Sequence, residues 1–432
     1  MRSPLFAFLI LFAGNNLFAQ NSKSAIDELI NPTAVENIEK VLSSDAMRGR
    51  ATFTPDIDRA AAFIESQFRE AGLKTLDGGP GYLQSFSMIN TKLVSAAASL
   101  DGVDIPESSI AVSSSLPHLV VNENSGYEKI FIKAGGNLRE VLKYLTQAKK
   151  NYLVLIDTSF SGNFSRLADF AAQQFKSPRN VVMVLTASDP SKYSITIEQK
   201  VTEQKLANVV GVLPGRSKKN EYVIFSAHYD HLGAGQPDEK GDSIYNGAND
   251  DASGSTAVMI LARYFSKLNN NERTLVFATF TAEEIGGFGS QYFSRQFDPA
   301  TVMAMFNIEM IGTESKWGVN SAYITGYEKT DMGKMLEKNL VGSKFSFHPD
   351  PYPDQQLFYR SDNATLARQG VPAHTISTSK MDSEKYYHTQ GDEIGTLDMK
   401  NMAEIIKSIA ISARTIVAGT DTPTRVDATQ LK

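Results

Sequence analysis

Four apolar runs in the second half of the chain show no polar alternation: "EYVIFSA", "TLVFATF", "VMAMFNI" and "VPAHTIS". A strand with one wet face alternates apolar and polar residues, whereas a strand covered on both faces does not. Helical patterns separate these runs. They are "SGSTAVMILARYFSKL", with Ser253 expected as its N-cap, the segment near Gln291–Phe297, "MGKMLEKNL" and "NMAEIIKSIAISARTIV". Buried strands joined by helices predict an α/β fold, a three-layer sandwich around a mostly parallel central sheet. On such a sheet, ligands sit beyond the carboxyl ends of the strands.

The rest of the chain divides by pattern. Residues 20–92 read as the helical N-terminal part of the same domain, with apolar positions at Ala60, Phe63, Ile64, Phe68 and Leu73 and a stop at Gly72. Residues 93–205 change character. Short β-like runs such as "YLVLIDT", "NVVMVLTAS" and "YSITIEQ" predict an inserted strand-rich domain with one helix near Leu138–Gln147. Residues 206–432 form the main α/β domain.

Residues 1–19, "MRSPLFAFLILFAGNNLFA", pair an early Arg2 with an apolar core from Leu5 to Ala13 and a small residue at Ala19. The core is too short to span a bilayer and predicts a secretory signal peptide, hence an exported protein without an integral membrane segment after its removal. There is no cysteine, which excludes disulfides, thiolate metal sites and cysteine nucleophiles. An exported, cysteine-free chain is expected in a bacterial periplasm or outside the cell. The net charge of −5 supplies no electrostatic footprint for nucleic acid. Nothing in the sequence indicates an oligomeric state.

The chemistry lies just past the predicted strand ends. His228, Tyr229, Asp230 and His231 follow the first run, Asp250 and Asp251 open the next helix, and Glu283 and Glu284 follow "TLVFATF". Glu309 ends the third strand, and Tyr387 and His388 lie downstream of the fourth. An isolated Glu-Glu pair is ordinarily a solvated loop. Here five distant segments deliver carboxylates and imidazoles to one sheet edge, where they would repel without a cation. Mixed imidazole and carboxylate donors suit zinc, with manganese or cobalt as less suited alternatives.

"SAHYDHLG", "YNGANDDASG", "TAEEIGGFGS", "NIEMIG" and "YYHTQGD", in this order, resemble the M28 family of zinc peptidases. The resemblance covers about Leu206 to the C-terminus and the N-terminal "RGR"; the inserted domain matches nothing. It implies the zinc-exopeptidase type of sandwich, two zinc ions per chain and peptide substrates cleaved as by an aminopeptidase. It implies His228, Asp250, Glu284, Glu309 and His388 as metal ligands, with Asp250 bridging and the Asp250–Asp251 peptide cis. Asp230 would orient the His228 imidazole, and Asp251 would lie behind the ligands as a helix-start acid. Glu283 would be the general base for the attacking water, and Tyr387 a hydrogen-bond donor to the oxyanion.

Two positions depart from that family's pattern. Glu309 stands where Asp is usual, which bears on the second metal, and Asn363 stands where His is frequent, beside the substrate pocket. His231 is expected to be no more than hydrogen-bonded at its strand end, His374 to be a core histidine, and His118 and His348 to lie in loops. Arg360 and Asp362 are expected to form a structural pair. Alternative readings are a glutaminyl-cyclase-like mono-zinc acyltransferase, a carboxypeptidase-type specificity needing a cation for the substrate carboxylate, and a non-catalytic binding module. The intact Glu283 and five metal-competent positions speak against the last.

Overall fold

The computed structural model describes residues 26–138, 141, 144–145 and 148–431. The signal-peptide segment 1–19 lies outside the described residues, and the expected helix near Leu138–Gln147 is described only in part. Two compact units form. One combines the described residues up to Ser85 with Ala207 onward, and the other runs from Phe86 to Leu206.

In the first unit the strands are β1 (Tyr193–Leu213, through its last residues), β2 (Lys218–His228), β3 (Arg273–Phe280), β4 (Val302–Ile308), β5 (Ser321–Ile324), β6 (Ser346–Pro349) and β7 (Ala373–Ser377). Their order across the sheet is β6-β5-β7-β4-β2-β3-β1. β2 runs parallel to both β3 and β4, and β4 parallel to β7, while β1 pairs antiparallel with β3 and β5 antiparallel with β7. The parallel centre requires helical crossovers. Crossover helices include α3 (Ser253–Leu268), α4 (Phe288–Ser294) and α5 (Met332–Leu340); α6 (Met399–Ser412) follows the last strand, and α1 (Pro32–Leu42) and α2 (Pro55–Glu70) come from the N-terminal segment.

Successive residues of the central strands feed two different cores. Phe225, Phe277 and Phe306 stack on one face, with ring centroids 5.6 and 5.0 Å from Phe225. Their neighbours Ile224, Val276 and Met305 enter the core of the other face. Both faces are dry, which is why the runs show no alternation, and each buried ring contributes about 2 kcal/mol. The N-terminal helices begin where the sequence places proline after a capping residue: Asn31 Oδ1 accepts from Ala34 N before Pro32, and Thr54 Oγ1 from Asp56 N before Pro55.

Several expectations need correction. Ser253 does not cap α3: its hydroxyl donates back to Asn249 O, and Asp251 Oδ1 accepts from Gly254 N instead. The Asp251 side-chain oxygen takes the orphan donor while the Ser253 hydroxyl is turned back. α4 begins at Phe288, earlier than the apolar pattern suggests. β5 and β6 are four-residue edge strands too short to show a period, and His348 belongs to β6 rather than to a loop. His118 likewise begins a strand, His118–Asn122, and pairs with Glu198.

In the second unit a four-stranded sheet orders Ile110–Ser113, Val181–Leu185, Tyr152–Ile156 and Glu128–Ile132. Helix Ser161–Ala172 packs Phe164, Leu167 and Ala171 against one face. Leu153, Leu155, Val182 and Val184 line a separate core with Ile195 and Ile197. Among the described residues, no helix is long and apolar enough to cross a membrane.

Candidate metal centre and active site

β2 ends in His228, which is 1% exposed. Its Nδ1 lies 3.1 Å from the Asp230 carbonyl, so the imidazole turns Nε2 toward Asp250, 3.2 Å from Oδ1. The Asp230 carboxylate is spent elsewhere: it accepts from the backbone N–H groups of Glu283 (3.1 Å) and Glu284 (3.3 Å) and from Thr52. Its Oδ1 is 3.8 Å from His228 Nδ1. The backbone carbonyl of Asp230, rather than its carboxylate, orients the ring, and the carboxylate clasps the paired glutamates.

Asp250 is buried and preceded by a sharp turn. Gly247 there has φ 56°, and a Cβ on it would meet Asp250 O at 2.4 Å and the His231 ring at 2.5 Å, so only glycine fits. Asp392 receives the backbone N–H groups of Asn249 (2.8 Å) and Asp250 (3.0 Å). The Asp250–Asp251 peptide is cis. Asp251 accepts from His228 N, Gly254 N and Met310 N, tying β2, α3 and the end of β4 together. A Cβ at Gly254 would sit 2.2 Å from Ile308 O and 2.5 Å from that carboxylate.

The other side of Asp250 faces His388, whose Nε2 lies 3.2 Å from Asp250 Oδ2 and 3.2 Å from Glu284 Oε2. Tyr387 stacks on His388 at 3.9 Å. His231 reaches further than expected: its Nδ1 is 2.7 Å from Glu284 Oε1 and 3.9 Å from Asp250 Oδ2. Glu309 borders the same cleft, and its Oε2 is buried without a hydrogen-bond partner. No hydrogen bond or ion pair joins Glu309 to Asp250 or His228 among the described residues. Three residues beside or within the cluster hold left-handed backbone without being glycine: Ala282 (φ 59°), Met310 (φ 53°) and His388 (φ 58°).

The electrostatics are those of acids crowded into a dry place. Burial pushes Glu309 up to about 7, and pushes Glu283 and Asp251 well above the carboxylate range despite the charge of His228. Burial acts on Asp250 in the same direction, but hydrogen bonds with His228 and His388 outweigh it and hold Asp250 below that range. His388 is raised to about 10 by its hydrogen bonds to Asp250 and Glu284.

These donors fit zinc. Ligand atoms of His228, Asp250 and Glu284 all lie within 4.8 Å of one another. Two atoms each about 2.0–2.1 Å from a tetrahedral ion stand roughly 3.3 Å apart, close to the 3.2 Å contacts made by both Asp250 oxygens. Among the described residues Glu309 Oε2 has no hydrogen-bond partner, which leaves it available as a ligand atom.

Sequence reasoning did not single out Asp392, which stands four residues after His388 without a periodic signal. Arg50 was visible only as part of "RGR". It is fully buried and donates to the carbonyls of Leu42, Tyr229, Asn246 and Gly247, pinning both strand-end turns. The expected Arg360–Asp362 pair does not form: Asp362 is buried, while the exposed Arg360 reaches only Gln355 Oε1, at 3.4 Å. Asn363 is structural, bonded to Phe358 O, Ala373 O and Thr375 Oγ1. His374 is a core histidine held by Thr330 and Thr325 and lowered by burial to about 4.

The fold, with its mostly parallel sheet, is shared with solved zinc aminopeptidases. The sequence model of Peptidase family M28 matches residues 208–412, a stretch that is similar to that family. A "Probable leucine aminopeptidase" of Arthroderma otae is 27% identical over 226 residues, 49% of this chain and 58% of the relative. "Leucine aminopeptidase 1" of Ajellomyces capsulatus is 26% identical over 294 residues, 63% and 72% of the two chains. The chain thus spans little more than half the length of the first of these relatives. Among solved structures, an aminopeptidase from Aneurinibacillus sp. strain AM-1 shares the fold with a TM-score of 0.54 at 17% identity, over 90% of this chain and 95% of the other. A zinc aminopeptidase from Bacillus subtilis does so with 0.53 at 16% identity, over 91% and 97%.

Proposed function

We propose that the chain is a zinc-dependent exopeptidase that removes N-terminal residues from peptides. The observation that carries this reading is Asp250, whose two oxygens face two separate imidazoles and so can serve two ions at once. In this reading His228 and Glu309 would hold one zinc and Glu284 and His388 the other, with Asp250 available to both. Bound there, zinc supplies Lewis acidity toward the scissile carbonyl and the attacking water, and a positive anchor for the cluster's acids. Leucine aminopeptidase relatives and a zinc aminopeptidase of the same fold support the reading.

The protein's own groups do the rest. Glu283, kept proton-seeking by burial and neighbouring acids, takes a proton from the attacking water and delivers one to the leaving amine. Asp230 fixes the turn on which Glu283 and Glu284 sit, and Asp392 fixes the backbone of Asp250. Tyr387, half-buried beside His388, donates a hydrogen bond to the developing oxyanion. Residues 1–19 direct export, to a periplasm or the exterior, and residues 93–205 form an inserted domain.

Hydrolysis of peptides with free and acetylated N-termini, by chelated and zinc-restored protein, tests the reading. Chelator-sensitive cleavage confined to free N-termini is expected. Cleavage indifferent to acetylation would overturn the aminopeptidase assignment.

A further inference from the structure

A pocket opens beside Glu309 and Tyr387, walled by Met310, Leu357 and Met381 and by several hydroxyl groups. Most of those hydroxyls are already engaged. Tyr323 Oη donates to Ser379 O, and Ser377 Oγ to Met310 O. Thr375 Oγ1 donates to Asn363 and accepts from Asn307, which also donates to Ser361. Thr325 Oγ1 accepts from Thr375 N. Apart from the Tyr387 hydroxyl, the wall therefore presents mainly carbon and engaged oxygen.

Arg360 is different. It lines the same pocket with an exposed guanidinium, and its described side-chain contact is a long one of 3.4 Å to a neutral amide. A guanidinium carries five N–H donors in a planar fork shaped to bind a carboxylate through two parallel hydrogen bonds. No carboxylate of the protein forms an ion pair with it among the described residues. The pocket's other acid, Glu309, is a zinc ligand in the proposed function, which leaves Arg360 as the pocket's uncompensated charge.

We propose that Arg360 selects substrates bearing a carboxylate in this pocket, the proposal resting on the exopeptidase reading above. The carboxylate has two chemical sources: the side chain of an acidic first residue, or the free C-terminus of a very short peptide. Either is a departure from a purely aliphatic preference.

The experiment uses the full zinc-loaded protein and its Arg360→Ala and Arg360→Lys variants. Values of kcat/KM are compared for glutamyl, glutaminyl and leucyl p-nitroanilides, and for Leu-Ala against Leu-Ala-amide. A side-chain carboxylate predicts a glutamyl-to-glutaminyl ratio of roughly 10 to 100. The ratio should collapse toward one in Arg360→Ala and fall between in Arg360→Lys, which keeps charge but loses the fork. A C-terminal carboxylate places the same collapse in the Leu-Ala to Leu-Ala-amide ratio. Calorimetric affinities for free L-glutamate and L-glutamine give a second readout that does not need turnover. If neither ratio nor the affinity difference moves in Arg360→Ala, the proposal is overturned. Leucyl p-nitroanilide turnover by the parent protein reports separately on the aminopeptidase reading.

Discussion

The carboxylate of Asp250 is shared between two histidines from opposite ends of the domain's sequence: Oδ1 stands 3.2 Å from Nε2 of His228, and Oδ2 3.2 Å from Nε2 of His388. Among the described residues neither imidazole has another carboxylate oxygen as near, except that His388 is equally close to Glu284. Removing Asp250 therefore uncouples both halves of the cluster. Asp250→Ala is expected to lose most of its bound zinc, and, on the two-zinc reading proposed above, Glu309→Ala to fall toward one ion per chain. Metal analysis after dialysis, with circular dichroism to confirm the fold, checks both. Full zinc content in Asp250→Ala would contradict the bridging role.

Glu283 is held by its backbone to Asp230, not through its own carboxylate. Glu283→Gln should therefore leave the turn, and the zinc content, in place. Turnover should drop by about 10²- to 10⁴-fold, the range for a lost general base. Undiminished turnover would remove Glu283 from that role.

The hydrogen bonds described for the Asp392 carboxylate go to the backbone of Asn249 and Asp250, so it acts through position. Asp392→Asn replaces a charged acceptor of two N–H groups by a neutral one. We expect zinc affinity to weaken by about 10- to 100-fold, with restored activity at high zinc concentration. Activity lost at every zinc concentration would point to a different role.

Glu39 on α1 provides a pH signature away from the metal cluster. Burial, only partly offset by the Thr256 hydrogen bond and the charge of Arg50, raises it from 4.5 to about 8. Between those values the folded chain holds a proton that the unfolded chain releases. Its contribution to stability therefore falls as pH rises from about 4.5 to about 8, then levels. Glu39→Gln should gain Tm relative to the parent progressively across that window. A Tm difference independent of pH from 5 to 8.5 would contradict the assignment.

The sequence made the sheet and its chemical edge legible because both follow from simple periods. Fully buried strands have unbroken apolar runs, and His228, Asp250, Glu284 and His388 each lie near a strand or helix end. What stayed hidden lacks a period. β5 and β6 span four residues each. Asp392 is one acid in a polar loop, and Arg50 is one of two arginines separated by Gly49. The Arg360–Asp362 expectation failed because spacing of two says nothing about direction: one side chain turns inward and the other out. Asp230 was recognised but with the wrong atom in mind, since a carbonyl and a carboxylate of one residue are indistinguishable in sequence.

Ala282 and Met310, each next to a site glutamate, sit with His388 in a backbone region that side chains avoid. Such joints cost on the order of 1–3 kcal/mol each and persist only where the surroundings enforce them. The centre thus resembles a set spring, with aim obtained at the expense of ease. Ala282→Gly relaxes one joint while deleting a single methyl, so its Tm should rise or hold even as kcat falls. Selection of this chain for heat resistance alone should accordingly wear down the accuracy of its metal cluster first, long before it troubles the sheet beneath.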